Sequence, residues 1–248
     1  MKNIDDWKPS KFVFRRGKLV ASRDRSEVGV GSWLMADLVA AAYDSHLGEH
    51  ARGRLIDLGC GHVPLYEAYK DHIDENICVD WGNTDHRNTL LDHECDLTQP
   101  LPFEDNDFDT IILSDVLEHI PRPENLWKEM QRIVKPTGKV LMNVPFYYVL
   151  HEEPHDYYRY TKHALRRFAE NNDFSVLVLE PLGGSPEVLA DIFAKHFQLI
   201  PLVGGFLASF TQTLTSLFLK TALGHKLSKK TGAKLPFGYF MVAQKNQL

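Results

Sequence analysis

Three groups of residues in this chain have the types and spacing to do chemistry. The first is "LIDLGCGHVPLY", in which an apolar run ends at Asp57 and is followed by Gly59 and Gly61. Glycines after a strand let the backbone approach a ligand closely, and the helix that follows offers its positive end. The second is Asp80, 23 residues after Asp57, where a carboxylate can accept from both hydroxyls of a ribose. The third is "HEEPHDYYRY", residues 151–160. Its first half satisfies H-E-x-x-H, with His151 and His155 as ligands and Glu152 as base, a pattern that binds zinc when it lies on a helix. Its second half is a knot of aromatic rings around an acid and an arginine, suited to gripping a substrate.

Two details narrow these readings. The third glycine of a G-x-G-x-x-G fingerprint would fall on residue 64, which is Pro64. Proline suits a helix start but not tight pyrophosphate packing, so the expected ligand is a nucleoside without a pyrophosphate. Pro64 and the acid-rich strand ends count against the second function class, an NAD-dependent oxidoreductase. The zinc reading fails on Pro154, on its position just after a strand, and on the lack of a third ligand beyond His163; no metal is expected. Tyr157 and Tyr158 then offer flat faces for a sugar or other planar group, and Arg159 a fork for a phosphate or carboxylate.

These residues need a scaffold. RLIDLGC, NICVDW, DTIILSD and KVLMNVPF are short apolar runs, the first three carrying an aspartate at or near their ends. Helical stretches lie between them, such as the one beginning at Pro123. Alternating strand and helix with short connections mean a parallel sheet covered on both faces. FSVLVLE and FGYFMVAQK are later strands, with a helical insertion at about residues 186–230 between them. Apolar residues from Leu34 to Tyr43 recur at helical spacing. Before them the first 30 residues are charged and without sustained period, so residues 1–48 read as an arm and helix forming a lid over a domain at 49–248.

With 248 residues, 44% hydrophobic and 25% charged, the composition supports a full globular core. A net charge of −5 leaves no basic footprint, so no nucleic-acid partner is expected. Cys60, Cys78 and Cys95 form no C-x-x-C pair, and the polar, acidic N-terminus does not resemble a secretory signal; a cytoplasmic location is expected. Residues 197–219 carry no charge, yet a polar stripe through them disfavours a spanning helix. Val203, Phe206, Leu207, Phe210, Leu214, Leu217 and Phe218 share one face, and lysines follow. That face is expected to pack on the domain or in a homodimer; the alternative is peripheral contact with an anionic membrane at its inner face.

"LIDLGCG", "CVDWG", "CDLTQPLPFEDNDFDTIILSDVLEHI" and "LWKEMQRIVKPTGKVLMNVP" together resemble the class I S-adenosylmethionine-dependent methyltransferases, small-molecule branch. The likeness covers roughly residues 50–180. One departure is Val63, standing where the family has a third glycine. The "HDYYRYT…ALRRF" run is similar to methyltransferases of bacterial surface-polysaccharide synthesis. The resemblance implies a doubly wound, mostly parallel seven-stranded sheet of order 3-2-1-4-5-7-6, strand 7 antiparallel, plus the helical insertion. It implies S-adenosylmethionine as cofactor. Asp57 would organise the methionine amino group, Gly59, Cys60 and Gly61 would give backbone contact, Asp80 would hold the ribose and Trp81 cover the adenine. Asp96 and Leu97 would meet the adenine amino group, and Ser114 and Asp115 would line the methionine side.

Ligands of doubly wound sheets sit beyond the carboxyl ends of the strands. The acceptor, a small molecule or glycan, is therefore expected between His119 and the 146–160 loop, with His119 or His155 as the base near the sulfur. A non-catalytic S-adenosylmethionine-binding module remains the third class.

Overall fold

Asp57 lies one residue before the end of its strand, and Asp80 and Ser114 end the strands on either side of it in one sheet. The computed structural model describes residues 1–82 and 88–247. After a hairpin of β1 (Phe12–Arg15) and β2 (Lys18–Ala21) comes helix α1 (Trp33–His50). Strand β3 (Arg54–Leu58), the single turn α2 (Tyr66–Tyr69), β4 (Glu75–Asp80), β5 (His93–Glu94) and β6 (Phe108–Ser114) follow. Then come α3 (Pro123–Ile133), β7 (Val134–Pro145), α4 (Lys162–Asn171) and β8 (Phe174–Leu182). The chain closes with α5 (Ser185–Gln198), α6 (Gly204–Leu219), α7 (Ala222–Gly232) and β9 (Gly238–Lys245).

Seven strands make one sheet in the order β5-β4-β3-β6-β7-β9-β8. The pairs among β3 to β7 are parallel, and β9 runs antiparallel to β7 and β8. This is the expected 3-2-1-4-5-7-6 order with its last strand reversed. Alternation of side chains explains the two-sided cover. Ile56, Leu58, Ile111, Leu113, Val140 and Met142 face α3 and α4 through Trp127, Met130 and Leu165. Leu55, Ile112, Leu141, Phe240 and Val242 face α1 through Val39, Tyr43 and Leu47.

Helix boundaries follow local chemistry. Pro123 opens α3 at a position whose N–H has no intrahelical partner, and Thr161 caps α4 by accepting from the Ala164 N–H at 3.2 Å.

Two expectations need correction. The first 30 residues are not irregular throughout: Arg16 and Gly17, both at positive φ, close the β1–β2 hairpin in the conformation that matches strand twist. The apolar stripe of α6 does not pack on its own domain. Its inward face is Gly204, Ala208 and Gln212, where Gln212 accepts from the Leu34 N–H at 3.0 Å and donates to the Gly31 carbonyl at 2.7 Å. A polar side chain that satisfies two buried backbone groups outcompetes burial of the stripe. Phe206 and Phe210 are left 71% and 57% exposed.

Candidate active site

The glycine turn is built for closeness. Gly59 and Gly61 both have positive φ, and so does Val63, so valine keeps the backbone that a third glycine would adopt, a strained state for a β-branched residue. A Cβ on Gly59 would meet Val116 Cγ2 at 2.5 Å, whereas one on Gly61 would meet nothing within 4 Å among the described residues. Gly59 therefore serves packing, and Gly61 faces open space.

The turn's amides are committed inward. Gly59 and Cys60 N–H both donate to the Val79 carbonyl, at 2.8 and 3.1 Å, and Gly61 N–H donates to Asp80 Oδ2 at 2.7 Å. The expected backbone contacts from Gly59, Cys60 and Gly61 thus reduce to carbonyls and the bare Cα of Gly61, because parallel pairing of β3 with β4 consumes the donors. The Cys60 side chain is buried in the core.

Asp80 also accepts from the Trp81 N–H, at 2.7 Å through Oδ1. A carboxylate has about four lone-pair sites, so two remain for ligand hydroxyls. Trp81 is 41% exposed, and its ring meets His155 edge-on at 5.3 Å. Asp57 is buried, and its Oδ2 accepts from the Tyr69 hydroxyl at 3.2 Å. Burial raises its pKa to about 7, the Tyr69 bond opposes the rise, and Asp80 adds to it. A buried acid in that state is complemented by a cation such as an ammonium group. Asp96 follows the end of β5 and accepts from the Thr98 N–H at 2.9 Å, with Leu97 buried beside it.

Ser114 and Asp115 belong to a network that the linear motifs do not show. Ser114 Oγ and the Tyr43 hydroxyl both donate to Asn143 Oδ1, at 2.8 and 3.0 Å. Asn143 Nδ2 donates to Asp115 Oδ1, and Lys11 Nζ donates to Asp115 Oδ2 at 2.9 Å. Burial lowers the Lys11 pKa, but the Asp115 carboxylate outweighs it and the net shift is upward. Trp7 Nε1 donates to the Val63 carbonyl at 3.0 Å. The N-terminal arm is thereby fastened at both the glycine turn and the exit of β6.

On the far side lie the histidines. No helix forms at 151–160, so His151 and His155 do not share a helical face. His119 Nδ1 engages the His155 carbonyl at 2.9 Å, and His155 Nδ1 lies 3.2 Å from the Tyr157 hydroxyl. Glu118 is buried, with its pKa well above the usual range because of burial first and Asp115 second. Tyr157 and Tyr158 are exposed, and the Tyr158 hydroxyl donates to the Pro121 carbonyl at 3.0 Å.

Arg159 differs from the expectation. Its guanidinium forks onto Asp156 at 2.6 and 2.7 Å and also donates to the Tyr148, Val149 and Tyr158 carbonyls. All five N–H donors are used, so Arg159 braces the loop and has none left for an acceptor anion. The fork holds Asp156 far below the usual carboxylate range.

A family model described as a methyltransferase domain matches residues 56–142. An uncharacterised methyltransferase of Mycobacterium tuberculosis is 46% identical over 43 residues, 17% of each chain. A ubiquinone biosynthesis O-methyltransferase of Coxiella burnetii is 26% identical over 98 residues, 36% of this chain and 42% of that one. The chain spans less than half the length of these curated relatives. An S-adenosylmethionine dependent methyltransferase from Mesorhizobium loti superimposes with a TM-score of 0.52 at 12% identity, covering 84% of this chain and 100% of that one; at that identity the likeness is one of fold. Residues 56–142 thus match a methyltransferase domain, and the seven-stranded sheet around them has the fold of that enzyme.

Proposed function

We propose that this chain transfers a methyl group from S-adenosylmethionine to a hydroxyl of a small molecule, of the sugar or lipid-linked saccharide class. The observation that carries the reading is the juxtaposition, along one sheet edge, of a buried acid, an open glycine turn and a ribose-type carboxylate with a histidine- and tyrosine-lined loop. Asp57 complements the donor's ammonium, Asp80 its ribose, and Trp81 with Asp96 and Leu97 its adenine. Ser114 and Asp115 bound the methionine side. The donor supplies an electrophilic methyl on a sulfonium.

For such a displacement the protein mainly aligns the nucleophile and excludes water, effects worth up to about 7–11 kcal/mol. Alignment falls to the rings of Tyr157 and Tyr158. The acceptor proton falls to His155, whose ring stands against Trp81, while His119 with Glu118 forms the floor beneath the acceptor oxygen. The arm through Trp7 and Lys11 is the lid that keeps water out.

Release of S-adenosylhomocysteine with labelled methyl in a saccharide or lipid-linked saccharide pool tests the reading. Donor binding without turnover on any pool would favour a non-catalytic binding module.

The insertion supports a lipid-linked acceptor. Phe206, Phe210, Leu214 and Leu217 form an exposed row on α6, and an open apolar groove of about 590 Å³ lies between α5, α6 and α7. Lys220, Lys226, Lys229, Lys230 and Lys234 are exposed beside it. Apolar surface flanked by lysines suits an anionic lipid surface. Among the described residues no helix is long and apolar enough to cross a membrane.

A further inference from the structure

A place in the floor of the acceptor site does not account for the burial of the Glu118 carboxylate. Both of its carboxylate oxygens are buried without a hydrogen-bond partner among the described residues, an arrangement that is costly unless a cation or proton neutralises it. Two imidazoles converge on it. His119 Nε2 is 3.7 Å and His151 Nε2 3.8 Å from Glu118 Oε1, and one ligand atom from each of the three residues lies within 4.8 Å of the others.

The outer contacts point the same way. His119 Nδ1 lies against the His155 carbonyl at 2.9 Å, which places its proton there and leaves Nε2 with a lone pair. His151 Nδ1 lies 3.3 Å from Asp156 Oδ2, without a hydrogen bond between them but within reach of one on a small turn of the ring, and that carboxylate is itself held by Arg159. Metal-binding histidines show this pattern, one nitrogen on the ion and the other on a carbonyl or carboxylate that fixes the ring.

We propose that Glu118, His119 and His151 form a binding site for a divalent transition-metal ion. Two imidazoles and one carboxylate suit zinc, manganese, iron or cobalt rather than magnesium or calcium, which prefer all-oxygen shells. Ligands at about 2.0–2.2 Å from an ion lie about 3.0–3.5 Å apart, so binding draws the two rings slightly inward. Three protein ligands leave positions on the ion open for an acceptor oxygen.

There its chemistry is to bind the acceptor hydroxyl and lower its pKa. The hydroxyl proton passes to His155, the oxygen forms its bond to the methyl carbon, and the carbon–sulfur bond breaks with its electron pair going to sulfur. This role rests on the methyl-transfer reading; binding of the ion does not. The H-E-x-x-H pattern thus contributes His151 as a ligand, while the His155 carbonyl orients His119 and the His155 ring stays off the ion as the base.

The test is titration of chelator-stripped protein with Zn²⁺ and Mn²⁺ by calorimetry, and with Co²⁺ by visible absorption. One equivalent is expected to bind. Glu118→Gln and His151→Ala are each expected to weaken binding more than 10-fold, and Asp156→Asn by about 10–100-fold. His155→Ala should retain binding. Thermal unfolding of each variant without metal establishes that it is folded; His151 is only partly buried, unlike Glu118, so its variant remains informative if Glu118→Gln fails to fold. No stoichiometric binding by the native chain, or binding unchanged in His151→Ala, overturns the proposal. S-adenosylhomocysteine affinity, read in the same variants, is expected to be unchanged. Metal binding without any affinity for that compound would support the site and sink the methyl-transfer reading, whereas turnover resistant to chelation would support that reading and overturn the ion's part in it.

Discussion

Lys11 Nζ donates to Asp115 Oδ2 across 2.9 Å, joining residues 104 positions apart. The contact ties the N-terminal arm to the loop that leaves β6. Asp115 has φ +53°, a conformation that asparagine tolerates and alanine resists. Lys11→Met is expected to cost about 1 kcal/mol, since the pair is partly exposed, and to speed proteolysis within residues 1–30. Asp115→Asn should match Lys11→Met, whereas Asp115→Ala should cost about 1–2 kcal/mol more. Equal losses for the two Asp115 variants, read by denaturant unfolding, would show that the backbone strain contributes nothing.

The two glycines separate stability from binding. Gly59→Ala meets Val116 and a positive φ, so a loss of about 2–5 kcal/mol is expected. Gly61→Ala meets only the φ cost, about 1–2 kcal/mol, but places a methyl in the open space of the turn. Its S-adenosylhomocysteine affinity should fall more than 10-fold while its Tm falls by less than that of Gly59→Ala. A Gly61→Ala protein with native affinity would move the ligand away from this turn.

Asp57 gives a pH signature. Its pKa in the fold is raised to about 7, first by burial. Raised above its unfolded value, the acid contributes stability that is complete below pH ~4 and is lost as pH rises through about 7. The free protein should therefore lose Tm across that window relative to Asp57→Asn. A ligand ammonium beside Asp57 ionises it, so S-adenosylhomocysteine binding near pH 6 should release a proton. Calorimetry in buffers of different ionisation enthalpy reads that proton, and its persistence in Asp57→Asn would remove Asp57 from the site. Tyr69→Phe removes the bond that opposes the shift and should enlarge the release.

The insertion predicts lipid binding that needs both its parts. Co-sedimentation with vesicles rich in phosphatidylserine is expected, with little on purely zwitterionic ones. Phe206→Ser with Phe210→Ser should abolish it without lowering Tm, because both rings are exposed. A stable dimer in light scattering that these substitutions dissociate would instead make the row a subunit interface.

The scaffold was legible in the sequence because its strands are short apolar runs punctuated by acids and glycines. Asp57, Gly61 and Asp80 could be grouped from the sequence because they lie near strand ends, where spacing along the chain translates into spacing in space. Lys11, Tyr43 and Asn143 were not: they meet Ser114 and Asp115 only after the sheet and arm have closed over long separations. Arg159 reads as an anion fork in the sequence because nothing there shows that three carbonyls and Asp156 take all its donors. The α6 stripe misleads similarly, since one glutamine bound to two backbone groups decided which face turns inward. His151 was visible as half of a motif, but its partner Glu118 lies on another loop.

The central claim is tested most directly by calorimetric titration of the full chain with S-adenosylhomocysteine, beside Asp80→Ala and beside NADH. One equivalent of S-adenosylhomocysteine should bind to the native protein, the variant should bind about 100-fold more weakly as its ribose bonds are lost, and NADH should not bind. Binding of NADH with none of S-adenosylhomocysteine would contradict the account and make the chain an oxidoreductase.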